Sequence, residues 1–321
     1  MQKPSGISII VCNYNANLSN ILLTLASCLR QKDCPFEVVF CDDGSKNNYE
    51  KEIVSYFKKN SFENYQLSCL NDNKGTLINL LTGLKMAKYS RCKTIGCGDL
   101  FYDEYSLKRV NDYFDQTGAD VIFTKCCYFY DENDEIKLFN VSNPHDLKCY
   151  SLNKHNPKTI QKRLLMNQDM ILGAGVYADT DYLVNLYSQF VGKIKYTEDA
   201  LLIYGAAFDT KFYYLDEYCV YYEYGTGIST STNNTFRQII ENESNQLFDF
   251  IEKDCKDKRI LKYLKIRKKI KNSKNALSLN LRKLFLTPSQ LKIKWLDKHC
   301  KKDKANLEFY KQCKKEAQNG I

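Results

Sequence analysis

Short apolar runs alternate with amphipathic stretches through the first 126 residues. The runs ISIIVC (7–12), FEVVFC (36–41), YQLSCL (65–70), CKTIGC (92–97) and ADVIFTKC (119–126) are rich in β-branched and aromatic residues. Their length and content predict buried strands. The segments between them, LSNILLTLASCLRQ, NYEKEIVSYFKKN, TLINLLTGLKMAKY and DEYSLKRVNDYFDQTG, repeat apolar residues every three or four positions, as at Ile21, Leu22, Leu25 and Leu29. Such spacing predicts helices that turn one face to a sheet. Strand and helix at this pitch predict βαβ units and a mostly parallel sheet, an α/β fold.

After residue 126 the rhythm changes. YFYDENDEIKLF predicts a hairpin with its polar turn at Asp131 to Asp134. MILGAGVYADTDYL, YTEDALLIYGAAF and KFYYLDEYCVYYEYGTGIST read as Tyr-rich strands and loops around one helix. From about Thr235 the pattern is helical to the end. Apolar stripes such as Leu277, Leu281, Leu284 and Phe285 run through a basic background, and Thr287-Pro288 has the character of a helix start ahead of Leu291 and Trp295.

Charge divides the chain later, at Lys256. From Lys256 on there are 21 Lys and Arg against 5 Asp and Glu; before it there are 26 against 33, within a net charge of +9. A mildly acidic body therefore carries a strongly basic, helical C-terminal extension. Lys and Arg beside Leu, Ile, Phe and Trp suit an anionic membrane surface, and flotation with anionic liposomes tests that expectation. Packing of the stripe onto the body is the alternative. Nucleic acid is the least favoured partner, because no nucleic-acid motif accompanies the charge.

The 14 cysteines contain no Cys-x-x-Cys pair, and 3 histidines cannot complete a zinc site of ordinary spacing. They predict reduced, mostly buried thiols in a cytosolic protein. No run of about 18 apolar residues predicts a membrane span, and the first apolar run is too short for a signal peptide.

Ligands of open parallel sheets bind at the carboxyl ends of the strands. Three polar clusters fall there: Asn13-Tyr14-Asn15, Asp42-Asp43-Gly44-Ser45 and Gly96-Cys97-Gly98-Asp99. No G-x-G-x-x-G follows the first strand and no G-x-x-x-x-G-K-S/T is present, which argues against a dinucleotide site and a P-loop. An aromatic ring beside paired acids suits a nucleobase plus a metal-bridged diphosphate. Taken singly, each cluster is equally a turn or a helix cap.

In combination and order, SIIVCNYN, FEVVFCDDGS, NDNKGT and IGCGDLFYD resemble the nucleotide-binding half of the family 2 inverting glycosyltransferases, which have the GT-A fold. The likeness covers about residues 7–230, with GAGVY (173–177) and YTEDALL (196–202) similar to the family's acceptor-side loop and E-D motif. It implies a GT-A-like, Rossmann-type domain at 1–234, with a nucleotide-binding half at about 1–126 and an acceptor half at about 127–234, followed by a basic helical region at 235–321. The resemblance places Cys12, Tyr14, Asp42, Asp43, Gly98 and Asp99 at the donor. Tyr14 would flank the base, Asp43 accept its ring N–H, and Asp99 bind a divalent metal, Mn²⁺ or Mg²⁺. Asp199 matches the general base, with Glu198 beside it.

Two departures stand out: Cys12-Asn13 replaces Pro-Thr, and Gly98 replaces an acid. The EYGTGIST segment (223–230), with Gly225 and Gly227, falls where relatives close a loop. The resemblance implies transfer of a sugar from a nucleotide-sugar, a UDP-sugar by expectation, to a glycan or lipid-linked glycan. Such an enzyme would act in cell-surface polysaccharide synthesis, in the cytoplasm or at the inner face of the cell membrane. A nucleotidyltransferase and a catalytically silent nucleotide-sugar-binding subunit are the alternatives.

Overall fold

The alternation of the first 126 residues folds as β1 (Ile7–Asn13), α1 (Leu18–Leu29), β2 (Phe36–Asp42), α2 (Glu50–Lys59), β3 (Tyr65–Cys69), α3 (Thr76–Met86), β4 (Arg91–Gly96), β5 (Leu100–Phe101), α4 (Ser106–Thr117) and β6 (Val121–Glu132). The computed structural model describes residues 3–132, 135–139, 144–167, 169–223, 234–272, 285 and 305–320. The remaining elements are β7 (Glu135–Phe139), α5 (Pro157–Leu165), β8 (Val176–Asp179), α6 (Thr180–Ser188), α7 (Leu201–Ala207), β9 (Phe212–Glu223), α8 (Asn234–Asp254), α9 (Lys258–Lys271) and α10 (Leu307–Gln318).

The strands form one sheet in the order β3-β2-β1-β4-β8-β6-β9-β5, with β7 added to β6. The first four are mutually parallel. The chain winds outward from β1 to β3 and then crosses to the other side of β1 as β4. That reversal opens a crevice at the carboxyl ends of β1 and β4. Cys12 stands in register between Cys41 and Gly96, so three loops leave the sheet at one level. Beyond β4 the sheet is mixed: β8 runs antiparallel to β4 and β6, while β9 runs parallel to β6. This is the α/β architecture expected from the alternation, and the GT-A-like form of it that the resemblance implies.

The two-residue period sends successive strand residues to opposite faces. Ile7, Ile9 and Val11 join Val38, Phe40, Ile53, Phe57 and Leu107 on one side, under α1, α2 and α4. Ile10, Val39 and Cys41 meet Leu77, Leu81 and Leu84 of α3 on the other. The C-terminal helices join both layers. Leu247 and Ile251 of α8 and Ile260 and Leu264 of α9 belong to the α3 side, and Phe309, Tyr310, Cys313 and Ala317 of α10 to the α1 side. Arg30, the C-cap of α1, reaches Glu316 and Gln312 of α10 and lies over the Phe309 ring. The 13 cysteines among the described residues are free thiols, ten of them buried.

The expected hairpin forms between β6 and β7; residues 133–134 of its turn lie outside the described residues. Where one helix was expected after residue 170 there are two, α6 and α7, and α5 precedes them. Local signals for these were present. Asn156 caps α5, with Pro157 in its first turn, and Asp179 caps α6 by accepting from the Tyr182 N–H. The closing segment at 224–230 and the stripes at 273–284 and 286–300 lie outside the described residues. Among the described residues no helix is long and apolar enough to cross a membrane.

Candidate active site

The loops after β1 and β2 are clipped together by the acids expected at the donor. Asp42, fully buried, accepts from Asn13 Nδ2 at 2.6 Å, from the Ser45 N–H at 2.8 Å and from Ser45 Oγ. Asp43 accepts from the backbone N–H groups of Lys74 at 2.8 Å and Gly75 at 2.9 Å, tying the NDNKGT loop to β2. Burial raises the Asp43 pKa, and these two N–H bonds oppose the rise. Tyr14, 49% exposed, stands free at the end of β1. Lys74 pairs at the surface with Asp72.

The turn between β4 and β5 is held by one face of α1. Thr24 Oγ1 accepts from the Gly98 N–H at 2.9 Å and donates to the Asp99 carbonyl at 2.8 Å. Ser27 Oγ accepts from the Phe101 N–H, and Gln31 bonds Asp103 and Leu107. Thr24 and Ser27, three residues apart on α1, and Gln31 just beyond its end explain why polar side chains are buried in this apolar layer. Asp99 Oδ1 accepts from the Glu223 N–H of β9 at 2.9 Å. Gly98 has φ +107°, a conformation that disfavours side chains, and a Cβ there would lie 2.3 Å from Glu223 Oε2. Burial pushes the Asp99 carboxyl up to about 7, against the Glu223 N–H and the nearby Lys93 ammonium. Lys93 is itself fully buried, with Nζ donating to the Thr94 and Ala174 carbonyls, and burial brings it down to about 8.

Glu198 and Asp199 lie on the loop entering α7, and α8 shapes that loop. Glu243 accepts from the N–H groups of Lys195 at 2.8 Å, Tyr196 at 3.0 Å and Thr197 at 3.0 Å, and from Thr197 Oγ1 at 2.9 Å. The Lys195 carbonyl accepts the Leu77 N–H, which joins the loop to the start of α3. Across the crevice, a Cβ on Gly173 would lie 3.0 Å from Asp199 Cβ, so the GAG turn packs directly on the acid. Asp199 is exposed to the cavity, whereas Glu198 Oε2 is shut off from solvent without a hydrogen-bond partner. The surrounding protein raises both pKa values; for Glu198 the Asp199 charge adds to the rise.

Cys12, Asp99, Glu198 and Asp199 line one cavity of about 220 Å³ with Thr76, Gly173 and Tyr222. Burial holds the Cys12 thiol far above its ordinary range, so it is an uncharged wall residue. Tyr14, Asp42, Asp43 and Gly98 are not brought into this cavity; they build and flank the strand-end loops beside it. Sequence reasoning missed Thr24, Glu243 and the carboxylate of Glu223. Among the described residues no three His, Cys, Asp or Glu side chains converge as a metal-binding group. Asp99, with Glu223 packed where a Gly98 side chain would begin, fits a cation completed by phosphate oxygens and water.

The family model for glycosyl transferase family 2 matches residues 8–173. Chondroitin synthase of Pasteurella multocida (strain Pm70) is 35% identical over 107 residues, covering 30% of this chain and 10% of that one. Among solved structures, S. aureus TarS 1–349 in complex with UDP-GlcNAc is 19% identical with a TM-score of 0.56, covering 90% of this chain and 79% of that one. The mannosyltransferase PcManGT from Pyrobaculum calidifontis, in complex with GDP-Man and Mn²⁺, is 14% identical with a TM-score of 0.59, covering 91% and 76%. At these identities the solved structures speak for the fold. The chain spans a tenth of the chondroitin synthase and 43% of a longer TarS chain. A match across more than half of the residues, including the strand-end loops that meet at the crevice, makes this chain a member of glycosyl transferase family 2.

Proposed function

We propose that the protein is an inverting glycosyltransferase that moves a sugar from a nucleotide-sugar, by preference a UDP-sugar, to a hydroxyl of a glycan or lipid-linked glycan. The observation that carries this reading is the meeting of Asp99 with Glu198 and Asp199 in one cavity at the β1–β4 crevice. Its volume of about 220 Å³ is below the ~300–1,000 Å³ of sites for drug-sized ligands. It suits the sugar end of a donor whose nucleotide lies along the strand-end loops, with Tyr14 against the base. The complexes of TarS with UDP-GlcNAc and of PcManGT with GDP-Man and Mn²⁺ support a nucleotide-sugar donor by analogy of fold.

Asp199 takes the proton of the acceptor hydroxyl as its oxygen bonds to the anomeric carbon. The bond from that carbon to the diphosphate oxygen breaks, and the nucleoside diphosphate leaves with the electron pair. A divalent cation, when bound, supplies Lewis-acid stabilisation of that leaving group, and Asp99 would hold it. Glu198, with Oε2 sealed from solvent and unpartnered, is the member of the pair suited to keep its proton, which leaves the exposed Asp199 as the base. Gly173 lets the GAG turn pack on Asp199 and fix the position of the base. Synthesis of cell-surface polysaccharide at the cytoplasmic face, with the basic C-terminal region near anionic lipid, is the setting this reading favours.

Calorimetric titration of UDP with and without Mn²⁺, into wild type and Asp99→Ala, tests the donor site. Metal-dependent binding that the substitution abolishes is expected; binding indifferent to both would reduce Asp99 to a turn residue. Turnover with a sugar donor should release nucleoside diphosphate, whereas pyrophosphate would point to nucleotidyl transfer.

A further inference from the structure

Glu223, the last residue of β9, has no part in the reaction as drawn above. We propose that its carboxylate is the second acidic group of the donor site and stands with Asp99 on the divalent cation that bridges the diphosphate. The inference rests on the donor-site reading and deepens it.

Position, space and backbone conformation converge on this residue. The Glu223 N–H donates to Asp99 Oδ1 at 2.9 Å, so the end of β9 is fastened to the acid of the β4–β5 turn across 124 residues of chain. A Cβ built on Gly98 would lie 2.3 Å from Glu223 Oε2 and 3.3 Å from Cδ. The Glu223 carboxylate therefore fills the ground from which a side chain at position 98 would start. Gly98 has φ +107°, which an acidic residue adopts only under strain. The turn cannot carry its own second acid without displacing Glu223, and glycine at 98 is what lets β9 deliver one.

The donor set fits the group. Two adjacent carboxylates repel, and a cation between them reverses the sign of that interaction. Mg²⁺-type sites take one or two protein carboxylates and complete their shell with substrate phosphates and water. Asp42 and Asp43 instead hold backbone and side-chain donors of the neighbouring loops and do not line the cavity that Asp99 enters.

The test is Mn²⁺ titration of the full chain, followed by electron paramagnetic resonance, alone and with UDP or GDP. The proteins compared are wild type, Asp99→Asn, Glu223→Gln and Glu223→Asp. Glu223→Gln keeps side-chain size and the backbone bond to Asp99, and thermal melting checks its fold. The proposal expects Mn²⁺ retention with nucleotide to weaken at least about tenfold in Glu223→Gln, the size that loss of even an indirect metal partner produces. Glu223→Asp should retain part of the affinity, and nucleotide binding without metal should be unchanged. Wild-type Mn²⁺ affinity in Glu223→Gln, with loss in Asp99→Asn, overturns the role of Glu223 and leaves the donor site standing. Equal loss with and without metal makes Glu223 structural and also overturns it. A wild-type protein that binds neither nucleotide with Mn²⁺ overturns the donor-site reading and this inference together.

Discussion

Glu198 and Asp199 are neighbours in the chain but not in environment. Asp199 opens to the cavity, whereas Glu198 has an oxygen sealed from water. Both carboxyls are held above their ordinary range. A base must be ionised to accept a proton, so transfer should rise with pH through an apparent value above that of a free carboxylate. Asp199→Asn should lower kcat by about 10²–10⁴-fold and leave UDP affinity unchanged. A pH–rate profile whose acid limb stays near pH 4 would count against the assignment.

The stability of the same pair runs the other way. A carboxyl whose folded pKa lies above its unfolded value favours folding while protonated, and that stability is lost as pH rises through the folded value. Glu198→Gln, which cannot ionise, should therefore gain stability relative to wild type between pH 4 and pH 8 in urea titrations. A constant difference across that range would show that Glu198 is not strained by its charge.

Helices here do more than cover the sheet. α1 holds the Gly98-Asp99 turn with Thr24, and α8 holds the loop before Asp199 with Glu243, which satisfies three backbone N–H groups at once. Leaving buried donors unsatisfied costs about 1–3 kcal/mol. Glu243→Ala should accordingly lose about 2 kcal/mol in urea unfolding and lower kcat, with metal-dependent UDP affinity little changed. A fall in UDP affinity equal to the fall in kcat would mean that Glu243 supports the whole crevice. Amphipathic spacing disclosed α1 at once but left Thr24 unexplained, because its partner lies 75 residues away. The caps of α5 and α6 were legible locally, in Asn156-Pro157 and in Asp179.

For the molecule as a unit, the basic C-terminal region is not one kind of thing. Its described helices join both faces of the sheet, and α10 closes on α1 through Phe309, Tyr310 and Cys313. Phe309 is 5% exposed and lies under the Arg30 guanidinium. Truncating a buried Phe costs about 3–5 kcal/mol, so Phe309→Ala should destabilise the protein by about 3 kcal/mol in one cooperative urea transition. Two separate transitions, with the body unchanged, would mark α10 as an appendage.

Strand and helix order through residue 126, a site at the carboxyl ends of the strands and the acids there could be read from residues alone. Those features arise from periods of two and 3.6 residues and from turn chemistry, which neighbouring residues encode. What the residues could not disclose is which acids share a cavity, that Asp42 and Asp43 are committed to loop contacts, and that Glu243 and Glu223 reach the site. These depend on contacts across 46 and 124 residues of chain, as the closure of α10 depends on one across 286. No local periodicity records such contacts, because only close packing of distant segments brings the partners within reach.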